Sequence, residues 1–353
     1  MHRFRRSTVL FAGLFVIGMG VYISFGGLPI IWQKVQEQYL RLLNLQFPYV
    51  EISREYEDSD VEHMIEEQEN YALAMENSVA QTTKESTKEQ TKEQTKEQKE
   101  DYSVDKLKVY TKKQLQDYDF LVKNLYYISS STTITKKQLD GKKLLHKNLS
   151  IDKSKEPQIL IYHTHATEYF KDSDRDNPNE LITGVGDYLT KILEKEYGYK
   201  VIHDKTVFPY NQAYSLGRDR AKEILEKYPS IKVIIDLHRD SSGGHHYVTK
   251  INGKKMASIM FFNGMSQDAN GRTIASRENP NLTTNLAFSL QMKVAADELY
   301  PGLARKNYLK AYRYNMHLVG RYALVEVGAE NNTLKEAKNS MEPLAKILDI
   351  VLQ

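Results

Sequence analysis

Short apolar runs alternate with longer amphipathic stretches over the later part of the chain. Residues 158–162 (Gln-Ile-Leu-Ile-Tyr), 200–204, 231–236 and 322–327 are runs of that kind, rich in β-branched or aromatic residues. Their length and composition predict buried strands rather than helices. Between and after them, apolar positions recurring at helical spacing predict helices over 181–197, 216–228, 284–300 and from Asn332 or Thr333 to Leu352. Gly198 follows the first helix as a terminating glycine, and Pro229 stops the second. Asn252-Gly253 separates 247–251 from 255–262 and predicts a tight hairpin, set at an edge or beside the cleft. Shorter elements are expected over 119–129 and 136–149. Strands alternating with helices predict an α/β fold, with a mostly parallel central sheet and helices on both faces.

The earlier part of the chain reads differently. Met1-His-Arg-Phe-Arg-Arg6 is basic, and residues 8–32 are almost wholly apolar. About 20 such residues span a bilayer core, and the preceding charges hold the N-terminus in the cytoplasm. Gly18-Met19-Gly20 also offers small residues for a cleaved signal peptide. The long apolar stretch and the bulky residues beyond it favour an uncleaved anchor. Acidic residues follow, and then 82–100 repeats Lys-Glu at four-residue spacing, which reads as a solvated tether with no core to bury. The expected organisation is an anchor over 1–32, an extracytoplasmic linker over 33–101, an extension over 102–155 and a catalytic domain over 156–353.

Charge and composition narrow the chemistry. Lys plus Arg number 49 against 46 Asp plus Glu in 353 residues. A chain so nearly balanced lacks the basic excess of a nucleic-acid binder. No cysteine is present, so a zinc ion would be held by histidine and carboxylate, the donor set of catalytic sites. Three predicted strand ends carry such groups. The first delivers His163, His165 and Glu168, the second His238, Arg239 and Asp240, and the third Glu326. Ligand and catalytic groups of open α/β sheets sit just past the carboxyl ends of strands. A single histidine there is more often a hydrogen-bonded structural residue; several at the ends of separate strands of one sheet point to zinc. Glu326, in an apolar run, costs several kcal/mol if buried and unpaired, so it should face a metal, a cation or water. His245 and His246 fall in a Gly-rich loop and are expected at the surface. The 24 tyrosines against 11 phenylalanines suit a wet groove lined with sugar or peptide.

These motifs resemble a known family. Residues 159–168 and 233–240, Glu278-Asn-Pro-Asn281, Tyr300-Pro-Gly302, Tyr312-Arg-Tyr-Asn315, and 324–328 followed by Asn332-Thr333 match in order the stage II sporulation protein P family. The resemblance covers about 118 to the C-terminus. It implies a zinc peptidoglycan hydrolase similar to N-acetylmuramoyl-L-alanine amidases, cutting stem peptides from glycan, and also peptide cross-links, during forespore engulfment. It implies a single-pass protein whose catalytic domain lies between the mother-cell and forespore membranes and works with stage II sporulation proteins D and M. Carried over residue by residue, it puts zinc ligands at His165 and His238 and a catalytic base at Glu326. The third ligand is Glu168 by proximity to His165, or Glu180 by its place near the start of a helix. His163, Arg239 and Asp240 are left as substrate-contacting or supporting positions. Two readings from other classes stand beside this one: a non-catalytic peptidoglycan-binding scaffold, and a zinc carboxypeptidase-like peptidase.

Overall fold

The structure is a computed structural model and describes residues 107–353. The anchor and the linker expected over 1–32 and 33–101 lie outside the described residues. Among the described residues no helix is long and apolar enough to cross a membrane.

Seven strands form the central sheet: β1 (Tyr126–Ile128), β2 (Ile159–Tyr162), β3 (Val201–His203), β4 (Val233–Asp240), β7 (Ile259–Gly264), β8 (Asn307–Lys310) and β9 (Arg321–Ala329). Their order across the sheet is β1-β8-β7-β9-β4-β2-β3. Every neighbouring pair is parallel except β7 with β9. The sheet is therefore two parallel blocks joined back to back at one antiparallel seam.

The helices are α1 (Lys112–Gln116), α2 (Tyr118–Leu125), α3 (Gly141–Leu145), α4 (Ile182–Lys195), α5 (Ala213–Lys227), α6 (Leu282–Leu299), α7 (Leu334–Asn339) and α8 (Met341–Leu352). Strand side chains alternate between faces, and two buried clusters follow that alternation. Ile159, Ile161, Val233, Ile235, Leu237, Ala323, Val325 and Val327 pack with residues of α4, α6 and α8. Leu160, Tyr162, Ile234, Tyr322 and Leu324 pack on the other face with Tyr214, Ala221 and Ile224 of α5. Helix α6 is buried on almost every side, because α3 closes over the side turned away from the sheet.

Several elements differ from expectation. The run at 255–262 is two strands: β6 (Lys254–Ala257) pairs with β5 (Val248–Ile251) in a separate hairpin, and β7 enters the main sheet. Asn252 and Gly253 have φ of 49° and 80°, the double left-handed turn that closes a two-residue hairpin. The expected last helix breaks at Ser340, whose hydroxyl donates to the Ala257 carbonyl at 2.6 Å. Pro343 lacks an N–H and is tolerated only in a first turn, so a new helix starts at Met341. Thr333 caps α7 through Glu336. The stretch expected as an extension supplies β1 at the sheet edge and buries Leu115, Leu121, Leu125 and Leu144 in the larger cluster.

Gly264 ends β7 where the 312–315 loop crosses. A Cβ there would lie 2.3 Å from the Tyr312 carbonyl oxygen and 2.7 Å from the Arg313 carbonyl carbon. Both are backbone atoms and cannot swing aside. Gly264→Ala is expected to lower the unfolding free energy by about 1–3 kcal/mol, read as a lower urea midpoint at unchanged slope. An unchanged midpoint would mean that the loop yields freely.

Candidate functional site

Parallel register lines up the site. Tyr162 stands level with Asp236 and Asp236 with Leu324; two residues further on, His238 stands beside Glu326. Alternation then sends Asp236, His238 and Glu326 to the face of Ile234 and Leu324, at the carboxyl ends of β4 and β9. Beyond this level the ladder jumps to Asp240 opposite Ala329. Gly328 sits in that bulge with φ of 66°, donates its N–H to the Ser258 carbonyl and leaves no room for a side chain. Bulges of this sort re-aim side chains beside active sites.

The chain leaves β2 in a tight turn, with the Glu168 N–H directed at the His165 carbonyl at 3.4 Å. That turn carries Glu168 under His238. Glu168 Oε1 lies 3.4 Å from His238 Nδ1, and Glu168 Oε2 accepts the Arg239 N–H at 2.7 Å. The opposite ring nitrogen of His238, Nε2, donates to Asp236 Oδ1 at 2.7 Å. Asp236 is fully buried and also accepts from the Thr164 N–H (2.8 Å), the Thr164 hydroxyl (2.6 Å) and the Tyr322 hydroxyl (3.2 Å). One carboxylate thus anchors both His238 and the residue preceding His165.

Burial opposes ionisation of Asp236, but His238 and the Thr164 donors hold its pKa down at about 2. Burial likewise opposes the charge on Glu168, and His238 and Arg239 outweigh it and keep this carboxyl below its usual range. His238 is pushed against charge by burial, yet Asp236 and Glu168 raise its pKa well above normal. With Nε2–H given to Asp236, the Nδ1 side faces a carboxylate and calls for a cation between them, a proton or a metal ion.

Glu326 is the reverse case. Its Oε2 is buried and makes no hydrogen bond. Burial, then the charge of Asp240, raises its pKa well above the usual carboxylate value. Asp240 pairs through Oδ2 with Arg305 at 2.8 Å, and the Arg305 guanidinium lies 4.0 Å over the Tyr247 ring.

The other sequence candidates separate. His165 is half-buried, its ring 4.7 Å from Tyr210, 5.6 Å from Tyr214 and 5.4 Å from His238. His163 is buried with both nitrogens engaged: Nδ1 donates to the Leu237 carbonyl at 2.6 Å, and Nε2 lies 2.8 Å from His203 Nε2. Burial drives its pKa down to about 3. His203 in turn contacts Asp187 at 2.9 Å. Glu180 is turned back on its own loop, accepting from the Asp174 N–H and the Asn177 amide. Arg239 donates to the Tyr169 and Asp240 carbonyls, not to the Asp240 carboxylate. Glu330 clamps the Gly-rich loop through the Ser242 and Gly244 N–H groups. His245 stacks on Tyr247 and bonds the Ser242 carbonyl, while His246 contacts Glu336 at 2.8 Å.

Asp236 and Arg305 were missed in the sequence. Asp236 had a signal: a carboxylate inside Val-Ile-Ile-Asp-Leu-His violates the apolar pattern as Glu326 does. Arg305 had only its nearness to the Tyr300-Pro-Gly302 motif.

Zinc bound by His nitrogen at 2.0–2.1 Å and carboxylate oxygen at 2.0–2.2 Å in a tetrahedron sets those two donors about 3.4 Å apart. The His238–Glu168 spacing of 3.4 Å matches that edge and is long for a hydrogen bond. A carboxylate behind a ligating histidine, as Asp236 is here, is the usual support of such a ligand. His238 and Glu168 fit two positions of a zinc site. Among the described residues no group of three His, Cys, Asp or Glu side chains is placed to hold a metal ion; the His165 ring packs against Tyr210, Tyr214 and His238.

Comparison with known proteins gives a match to the family described as Stage II sporulation protein P over residues 37–349. Stage II sporulation protein P of Bacillus subtilis (strain 168) is 25% identical over 211 residues, 54% of this chain and 49% of the relative. The match thus spans about half the length of that curated relative. Among solved structures, the N-acetylmuramoyl-L-alanine amidase AmiC2 of Nostoc punctiforme aligns at TM-score 0.34 and 15% identity, over 57% of this chain and 97% of its own. The CwlD amidase from Clostridioides difficile, in complex with the GerS lipoprotein, aligns at 0.36 and 13%, over 55% and 95%. Likeness this distant adds nothing to the argument for the site.

Proposed function

We propose, for a chain that belongs to the stage II sporulation protein P family, that it is a zinc-dependent N-acetylmuramoyl-L-alanine amidase of the sporulating cell envelope. The observation that supports this most is the meeting of His238, Glu168 and Glu326 at adjacent strand ends, with a nitrogen–oxygen edge of 3.4 Å and an unpaired buried Glu326 oxygen. His165, His238 and Glu168 would hold the zinc, with Asp236 fixing the His238 ring. When bound, zinc polarises the scissile carbonyl and makes water acidic near neutral pH.

Glu326 takes the proton of the attacking water and returns it to the departing amine. Its buried oxygen, which makes no hydrogen bond, is free to hold that proton between the two steps. Arg239 fixes Glu168 through its backbone N–H. Asp240, held by Arg305, sets the charge beside Glu326. Peptidoglycan is the substrate, and the single-pass anchor and stage II sporulation proteins D and M complete the reading. Protease added to intact protoplasts is expected to remove the catalytic domain; survival of that domain would put it on the cytoplasmic side.

Digestion of purified sacculi, with products identified by mass spectrometry, tests the activity. An amidase frees whole stem peptides beginning at their N-terminal alanine. A carboxypeptidase-like enzyme only trims their far ends, and a scaffold releases nothing.

Asp236→Asn is expected to weaken zinc binding about 10–100-fold, measured by competition with a chromophoric chelator. The amide cannot accept from His238 and Thr164 as the carboxylate does. Unchanged affinity would mean that His238 holds its orientation unaided.

A further inference from the structure

The amidase reading leaves open which way the substrate lies, and the rim on either side of the site is chemically unlike. Sheet order puts β3 outside β2 and β9 on the far side of β4. The 205–212 loop leaves β3 and reaches His165, where Tyr210 lies with its ring centroid 4.7 Å away at a 38° tilt. Tyr210 is 56% exposed and Val207, three residues earlier, 61%. They are two of the exposed large apolar groups among the described residues, and both belong to the loop that meets the site through Tyr210. Tyr214 packs edge-on against the same His165 ring at 5.6 Å.

The other edge, toward β9, carries guanidinium groups: Arg305, paired with Asp240, and Arg239 at the end of β4.

A muramoyl-peptide has two halves of matching contrast. Its glycan is a run of uncharged pyranose rings that present flat C–H faces and N-acetyl groups. Its stem peptide carries carboxylates. The negative π-face of a tyrosine attracts polarised C–H groups and covers apolar sugar surface, whereas guanidinium groups pair with carboxylates.

Resting on the amidase reading, we propose that Tyr210 is a glycan-binding residue: a sugar ring of the strand lies on its exposed face beside His165, and the stem peptide runs toward Arg239 and Arg305. The 205–212 loop is then a specificity element for β-linked N-acetylated amino sugars.

The test is binding of the full chain to two separate probes, peptide-free glycan strands and free stem peptide, by calorimetry. Neither probe contains the scissile bond, so the result does not depend on hydrolysis. Tyr210→Ala is expected to bind glycan about tenfold more weakly and stem peptide as wild type does. Tyr210→Phe, which keeps the ring, is expected to retain glycan binding. A thermal melt matching wild type excludes misfolding, since Tyr210 is largely exposed. The proposal is overturned if Tyr210→Ala binds glycan normally, if it loses peptide binding instead, or if wild type itself does not bind peptide-free strands. Tyr210-dependent glycan binding by a chain that releases no stem peptide from sacculi would keep the subsite and remove the amidase reading.

Discussion

Glu326→Gln is expected to fold, to keep its zinc and to release stem peptides about 10²–10⁴-fold more slowly than wild type, the usual contribution of a general acid–base. The side chain projects from β9 beside His238, one carboxylate oxygen is buried without a partner, and its pKa is raised by burial and by Asp240. Glutamine keeps the shape and cannot take the proton. A variant that turns over at the wild-type rate would remove Glu326 from the chemistry; one that loses zinc would make it a ligand.

A second consequence concerns stability without metal. Folded Glu326 holds a proton that the unfolded chain releases above about pH 4.3. The folded state therefore binds more protons, and stability falls as pH rises from there through the raised folded pKa. Glutamine does not titrate. In chelator-treated protein, urea unfolding should show Glu326→Gln gaining on wild type as pH rises from 4 toward neutral. The gain should vanish in acid; a pH-independent difference would mean that Glu326 is not the titrating group.

His238→Ala should have the second large effect, and of a different kind. His238 is 3% exposed between Asp236 and Glu168. Its loss leaves the buried Asp236 and the half-buried Glu168 without their cation, and breaking a buried pair costs about 3–5 kcal/mol. Zinc binding should disappear together with that much stability, seen as a lower urea midpoint. His165 is half-buried against Tyr210 and Tyr214, so His165→Ala should lose zinc while keeping most of its stability. Equal destabilisation by both substitutions would place His165 in the same buried network.

Much of this arrangement was legible in the sequence because strand ends announce themselves. The apolar runs before His163, before His238 and around Glu326 became β2, β4 and β9, adjacent in the sheet. Side-chain direction was not legible in the same way. His163 and His165 are two apart and would share a face in a continued strand; the turn that follows Tyr162 separates them, so that His163 turns inward to Leu237 and His203 while His165 meets the rim.

The seam at β7 escaped notice for a related reason. Residues 255–262 are one apolar-rich run, and the change from hairpin to sheet between Ala257 and Ile259 is made by tertiary partners, with the Ser258 N–H donating to the Tyr247 carbonyl. Strands β1 and β8 are three and four residues long, too short for a periodicity to register; β8 is held between β7 and β1, and β1 by β8 alone. Asp236 was readable by the logic applied to Glu326, since both are carboxylates inside apolar strands.

The central claim is that one zinc is held by His165, His238 and Glu168. Metal analysis of the purified wild type, Glu168→Ala and Glu180→Ala chains tests it most directly. The geometry places Glu168 Oε1 3.4 Å from His238, while Glu180 closes its own loop. The expected result is about one zinc per chain in wild type and in Glu180→Ala, and none in Glu168→Ala. Zinc retained by Glu168→Ala and lost by Glu180→Ala would contradict the account.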